Sequence, residues 1–324
     1  MPDSPEDPVA SVVLVVQDHY RAIARTVAHL AEQTVADRME LVVVTPAGFG
    51  ELPPDPNRDR IARVTRVGLE GASLGSAQAE GVRAASGPVV ILGEDHAWPE
   101  PGYVEALAAR CRPPYAAVGP VMTNANPWSV VSWSNLLLAY GKWTDPAEGG
   151  PIDSLPGTNT AYDRSVLLGL GDELDGLMER EGGLLKRLQK DGHELYLEPA
   201  ARTAHQNVSG PASGAALRFH AGRLYADRRV KSERWGPGKR ALYFLAAPLI
   251  PGVRAVRILG ELRGKKMPLT PRVVGGVGLG VTLDGLGQMA GYGGGAGKAL
   301  TRLEDFEFNR YRYLSKRDRA EAGL

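Results

Sequence analysis

Three consecutive side chains able to hold a metal, Glu94, Asp95 and His96, follow the apolar run Val89-Val90-Ile91-Leu92 and its breaker Gly93. Carboxylate oxygens and an imidazole nitrogen delivered together suit a divalent cation, manganese or magnesium, shared with the oxygens of a diphosphate. The run opens at Gly87-Pro88 and contains no polar residue, so it reads as a short strand buried on both faces. A central strand of an α/β sheet delivers its ligands at the carboxyl end, where these three residues stand. An acidic turn that is merely solvated would carry the same letters. A second group of acids, Glu173, Asp175, Glu179 and Glu181, precedes a helical pattern in which Leu184, Leu185 and Leu188 align. Acids near a helix start also favour the helix dipole, so stability alone would explain them. A lone histidine, His205, follows the alternating stretch Glu194 to Glu198 and Pro199.

The elements that must position these groups alternate. Ser11 to Val16 is a β-branched strand, and Gln17-Asp18-His19 leads into a helix with Tyr20, Ile23, Val27 and Leu30 on one face, Asp18 being its expected N-cap. Glu40 to Val44 is the next buried strand, closed by Thr45-Pro46-Ala47-Gly48, and Ile61 to Val67 supplies another. Ser73 to Ala85 reads as a helix of small residues, stopped by Gly87. Strand, helix, strand repeated in this way predicts an α/β fold with a mostly parallel central sheet covered by helices, Rossmann-like in plan. Tyr103 to Arg110 reads as a helix and Tyr115 to Met122 as a strand. Residues 128–143 form a helix-like stretch carrying Trp128, Trp133, Tyr140 and Trp143, which would serve packing or a sugar-binding face. Gly157-Thr158-Asn159-Thr160-Ala161 is a polar turn, and Asp163 caps a helix from Arg164 to Leu170.

Across roughly residues 9 to 235, the order of these pieces resembles the inverting family-two glycosyltransferases with a GT-A fold. Glu94-Asp95-His96 with Pro101-Gly102-Tyr103 is similar to that family's Asp-x-Asp metal motif and its trailing Pro-Gly-aromatic. The resemblance implies a divalent cation held by Glu94, Asp95, His96 and His205, the last ending a strand near the metal. It implies a nucleotide-sugar donor on the side of Val16, Gln17, Asp18, Thr45, Gly75, Glu94 and Asp95. Gly157-x-Asn159-x-Ala161 resembles the acceptor-side turn, with Trp133 nearby, for a carbohydrate or lipid-linked acceptor. The segment from Glu181 through Arg187-Leu188 resembles the one carrying the catalytic base, which makes Glu181 the first candidate and Glu179 the second. Three letters depart from the family: Thr45-Pro46 stands where an aspartate usually contacts the base, His96 replaces the second metal-motif aspartate, and Arg180-Glu181 reduces the usual acid pair. Lys231-Ser232-Glu233-Arg234-Trp235 stands one residue short of the processive synthases' Gln-x-x-Arg-Trp, so the expectation is non-processive transfer. A nucleotidyltransferase would show a Gly-rich phosphate loop with a basic residue near the first strand, unlike Val15 to Arg21; a non-catalytic module with the same fold is the third reading.

Charge and composition bound the rest. Lys+Arg number 38 and Asp+Glu 37 in 324 residues, so a net charge of +1 gives no reason to expect nucleic acid. One cysteine, Cys111, excludes an internal disulfide and fits a reducing compartment. The opening Met-Pro-Asp-Ser-Pro-Glu-Asp-Pro has no apolar core, so neither a signal peptide nor an anchor is expected and the catalytic region should face the cytoplasm. Residues 1–235 are expected to form the catalytic domain and residues 236–324 a basic, Gly-rich helical appendage. From Arg228 to Lys266 eleven bases face only Glu233 and Glu261, interleaved with the apolar run Ala241 to Ile250, which Pro251 closes, and with Val253, Val256, Leu259 and Leu262. Such segments lie on anionic membrane surfaces. Val273 to Tyr292 is apolar and Gly-rich with Asp284 at its centre, a charge that disfavours spanning a bilayer.

Overall fold

The structure, a computed structural model, describes residues 7–16, 19–180, 182–265, 267 and 269–321. The chain runs β1 (Ala10–Val15), α1 (Arg21–Ala31), β2 (Met39–Pro46), β3 (Arg63–Leu69), α2 (Leu74–Ala84), β4 (Val89–Leu92), β5 (Ala97–Pro99) and α3 (Tyr103–Arg110). It continues through β6 (Tyr115–Asn124), α4 (Val130–Tyr140), β7 (Gly150–Ile152), β8 (Ala161–Asp163), α5 (Arg164–Gly169), α6 (Glu173–Met178), α7 (Gly183–Lys190) and β9 (Glu194–His205). Six helices follow: α8 (Pro211–Ser232), α9 (Pro237–Ala246), α10 (Ile250–Gly264), α11 (Pro271–Gly294), α12 (Ala299–Phe308) and α13 (Lys316–Glu321). Contacts divide the chain into two units, one of Met1–Thr123 with Ala147–His205 and one of Asn124–Pro146 with Gln206–Leu324.

The first unit is built on one sheet in the order β3-β2-β1-β4-β8-β6-β9-β5, with β7 on β9. The parallel core that the β-α alternation demands is β3-β2-β1-β4. Beyond β4 the short strand β8 pairs antiparallel to both β4 and β6, and β5 and β7 pair antiparallel to β9. Strands of three residues carry too little pattern to be read from sequence, and the ladders of their neighbours impose them. β1, β2 and β4 are buried on both faces, which is why each carries four successive Val, Leu or Ile residues. α1 lays Ile23, Val27 and Leu30 into the core, together with Leu14, Leu41, Ile91 and Val104. Asp18, the expected cap of α1, lies outside the described residues; the position before the helix is Tyr20, which makes no side-chain cap, its hydroxyl donating instead to Asp55 at 2.8 Å. Ser73 and Asp163 do cap their helices, accepting from the backbone N–H of Ser76 and Val166.

One buried carboxylate joins the edge of the core to β4. Glu40, 1% exposed, accepts from the hydroxyls of Ser11, Thr65 and Ser86 and from the Ser86 N–H at 2.6 to 2.8 Å. Burial raises its pKa, but the donors outweigh that and hold it below the usual carboxylate range. The next residue, Gly87, donates its N–H to Ser11, and a Cβ there would stand 2.8 Å from the β1 backbone, so β4 can enter beside β1 only without a side chain.

The second unit is helical. Two Gly-x-x-x-Gly pairs in α11 explain its composition. A Cβ on Gly276 or Gly280 would strike Val130 or Ser134 and Leu138 of α4 at 2.5 to 2.6 Å, and one on Gly287 or Gly291 would stand 2.0 or 2.4 Å from the carbonyl oxygens of Phe219 or Arg223 in α8. Backbones this close require residues without side chains. Asp284, 6% exposed between these pairs, forms an ion pair with Arg254 of α10 and accepts from Gln288 at 2.8 Å. Pro251, read from sequence as closing an apolar run, instead stands in the first turn of α10, where its missing N–H costs no hydrogen bond.

Candidate metal centre

The register of two antiparallel ladders assembles the site inside the first unit. On β5 and β9, Ala97 lies opposite His205, so the residue before Ala97, His96, meets the strand end of β9. On β4 and β8, Ile91 lies opposite Ala161, and the chain before Ala161 runs back beside the end of β4, the Asn159 N–H reaching the Leu92 carbonyl at 2.5 Å. Asn159 does this with φ of +58°, a left-handed conformation that asparagine tolerates better than most residues. Gly93 turns the chain where a Cβ would strike Leu14 at 2.6 Å. From α1, the Thr26 hydroxyl faces the carbonyls of Glu94, Asp95 and Ala97 at 3.1 to 3.3 Å and ties that loop to the core.

Three donor atoms converge. The Nε2 atoms of His96 and His205 are 3.1 Å apart, and Glu94 Oε2 lies 3.5 Å from each. These three residues form a metal-capable group whose side chains are 8% exposed or less. Adjacent ligands around a small divalent cation at about 2.0–2.2 Å are separated by roughly 3.0–3.5 Å, so the triangle fits one face of a coordination shell. Two imidazole nitrogens that close can share a proton or a cation, since facing lone pairs repel.

The groups behind the triangle fix it. Asp95 is not in the triangle; its Oδ1 lies 2.5 Å from His96 Nδ1, where a carboxylate accepts from Nδ1–H and so leaves Nε2 with its lone pair. Glu94 accepts from the Asn159 amide at 2.6 Å and from the Thr158 hydroxyl. The Tyr103 hydroxyl donates to the Asn159 carbonyl at 2.7 Å; burial and, after it, the Glu94 carboxylate hold that phenol well above its ordinary range. Asn159, expected on the acceptor side, is hydrogen-bonded to the Glu94 carboxylate of the triangle. Thr158 and Thr26 were not legible as site residues; both were small polar letters in loop or helix, and only the ladder registers reveal their partners.

The other expected residues stand elsewhere. Val16 is buried at the end of β1, its N–H bonded to Val44, and the Thr45 hydroxyl is buried and accepts from Arg66 at 3.2 Å. Gly75 packs on the backbone of Glu179, where a Cβ would be 2.7 Å from the nearest atom. Glu179 ends α6, before Gly182 begins α7 with φ of +64°, and its exposed carboxylate accepts from the Ser73 hydroxyl at 2.7 Å. The expected apolar face of α7 is buried through Leu184, Leu185 and Leu188. Gly157 is exposed and its carbonyl accepts from Tyr162. Trp133 belongs to the second unit, packed with Leu137, Val277 and Val281, its ring N–H donating to the Pro127 carbonyl at 2.7 Å. Gln17, Asp18 and Glu181 lie outside the described residues.

No family model matches the chain, and no curated protein matches it. Solved structures similar to it include GalNAc-T7 with UDP, GalNAc and Mn2+, at TM-score 0.44 and 16% identity over 68% of this chain and 51% of that one. Another is S. aureus TarS, at 0.43 and 14% over 66% of this chain and 39% of that one. S. aureus TarS 1–349 gives 0.43 and 15%, over 67% and 64%. The chain thus spans about half of GalNAc-T7 and less than two thirds of either TarS chain.

Proposed function

We propose that this chain is a glycosyltransferase that moves a sugar, of the hexose type, from a nucleoside-diphosphate sugar to an acceptor hydroxyl with inversion and without processivity. The observation that carries the reading is the triangle of Glu94 Oε2, His96 Nε2 and His205 Nε2 at the carboxyl end of the parallel core, where an α/β sheet binds its ligands. Glu94, His96 and His205 would hold a divalent cation. Two nitrogens among three donors favour manganese over magnesium. When bound, the cation supplies Lewis-acid stabilisation of the charge on the departing diphosphate. The protein's own residues do the rest. Asp95 fixes the His96 tautomer, while Asn159 and Thr158 aim the Glu94 carboxylate. A glutamate, Glu181 or in its place Glu179, takes the acceptor proton as the acceptor oxygen bonds to the anomeric carbon and the bond to the diphosphate breaks. One displacement from the face opposite the leaving group inverts that carbon. The acceptor is a carbohydrate or a lipid-linked glycan, and the product serves cell-surface polysaccharide or glycolipid synthesis on the cytoplasmic side of the membrane.

Nucleotide release from a panel of nucleotide sugars, with manganese and with chelator, tests this. Metal-dependent release of nucleoside diphosphate is expected. Pyrophosphate release would instead make the chain a nucleotidyltransferase, and binding without turnover of any donor would make it a non-catalytic module.

A further inference from the structure

An uncovered apolar surface lies on α9, the 3-10 turn Ala247–Leu249 and α10. Leu242, Leu245, Leu249, Val253 and Val256 follow one another at intervals of three and four residues and are each 62% to 75% exposed. The interval keeps them on one side of the segment through the turn. The other side is packed: Tyr243, Phe244 and Ile250 lie against Trp235, Ala226 and Tyr292, while Ile258 and Leu262 join Leu137, Val277 and Val281. The segment Pro237–Gly264 is long and apolar enough to cross a membrane, and 6% of its most apolar window is buried. The partial packing along one side leaves a one-sided apolar surface on the other.

Charge says what covers that surface. No charged residue occurs from Ala241 to Val253, whereas Lys239 and Arg240 precede the stretch and Arg254, Arg257 and Arg263 follow it. Lys239, Arg254 and Arg257 pair with Glu233, Asp284 and Glu261, whereas Arg240 donates to the Tyr292 carbonyl and Lys265 to the carbonyls of Gly141, Lys142 and Thr144, contacts that leave their charge in place. With Arg263, the six bases from Lys239 to Lys265 therefore outnumber the three acids that meet them, and the border of the apolar strip stays net positive. A second copy of the same face would oppose this basic rim with its own, whereas anionic headgroups complement it.

We propose that the α9–α10 face is a monotopic docking surface for an anionic lipid bilayer, with Leu242, Leu245, Leu249, Val253 and Val256 entering the headgroup and acyl boundary and the bases bordering it. Apolar insertion supplies most of the affinity and the rim selects the lipid charge. The assignment is independent of the transferase reading, since neither the triangle nor any donor enters it.

Flotation of the full chain with vesicles of phosphatidylcholine, alone or with about one third phosphatidylglycerol, tests it. Wild type should float with the anionic vesicles, and raised salt should weaken the recovery without abolishing it. The double variant Leu249→Glu/Val253→Glu should lose at least about tenfold in partition coefficient. Because these side chains are exposed, circular dichroism should stay unchanged; if it does not, Leu249→Ala/Val253→Ala replaces it and should still reduce recovery several-fold. A wild-type protein that does not float, variants that float as well as wild type, or variants that change only the association state on size exclusion would each overturn the proposal, the last assigning the face to a second copy.

Discussion

At the scale of single residues, the candidate metal centre would depend on what orients each donor as much as on the donors. Three protein donors leave half of a six-coordinate shell open, so manganese should bind weakly alone and at least about tenfold more tightly with a nucleoside diphosphate supplying oxygens. His205→Ala should abolish calorimetrically detectable binding. Asp95→Asn, which leaves the triangle complete but releases the His96 tautomer, should weaken it by roughly 10–100-fold; unaltered manganese affinity in both would remove Glu94, His96 and His205 from the role proposed. The proton acceptor is decided by a second comparison. Removing a base that acts in the transition state lowers turnover by about 10²–10⁴ and leaves donor affinity nearly intact. Glu181→Gln should behave in this way. Glu179→Gln, whose amide oxygen can still accept from Ser73, should instead leave turnover unchanged and shift stability by no more than about 0.5 kcal/mol. If turnover collapses with Glu179→Gln alone, the role belongs to the residue ending α6.

At the scale of elements, two joints give measurable consequences. Glu40 binds the β1 and β3 hydroxyls to the turn that launches β4. Its carboxyl is depressed in the folded state, so its stabilisation is present above the unfolded value near 4.5 and is lost as pH falls through the lower folded value. Glu40→Gln should therefore cost about 1–3 kcal/mol at neutral pH, and the difference from wild type should shrink as denaturant melts are repeated toward pH 3–4, taken as a rough range. The α11–α8 joint is steric. Gly287→Ala would drive a methyl to 2.0 Å from the Phe219 carbonyl oxygen and should destabilise by roughly 3 kcal/mol or more. Gly278 lies in the same helix with nothing within 4 Å of an added Cβ, so Gly278→Ala should stabilise by about 0.5–1 kcal/mol. Equal melting temperatures for the two variants would refute the close approach of these helices.

At the scale of the molecule, the candidate site is a property of the whole first unit. Its pieces come from residues 93–96, 158–160 and 203–205, joined by two ladders whose short strands have no stability of their own. Manganese with nucleoside diphosphate should therefore raise amide-exchange protection in those three segments together, read by mass spectrometry. Protection confined to residues 93–96 would mean that the turn binds the ion alone and that His205 is not a ligand.

What the sequence determined by itself was whatever depends on local pattern. The Val-rich runs of β1, β2 and β4 read as buried strands, because four successive apolar residues in each leave neither face for water. The α7 leucines, the Asp163 cap and the metal-capable side chains placed just after β4 were equally legible, since each is written within a few residues. The resemblance to a transferase family added His205 to the candidates, although nothing around it distinguished it from a structural histidine. Only the tertiary structure decided that His205 meets His96 Nε2 at 3.1 Å, that Asp95 stands behind His96 rather than beside it, and that Asn159 and Thr158 serve Glu94. The glycines of α11 likewise read only as composition, and the tertiary structure sets Gly287 and Gly291 against the carbonyls of α8. The physical reason is the same in each case: these contacts are set by strand register and helix approach between segments tens of residues apart, and no local free energy encodes such distances.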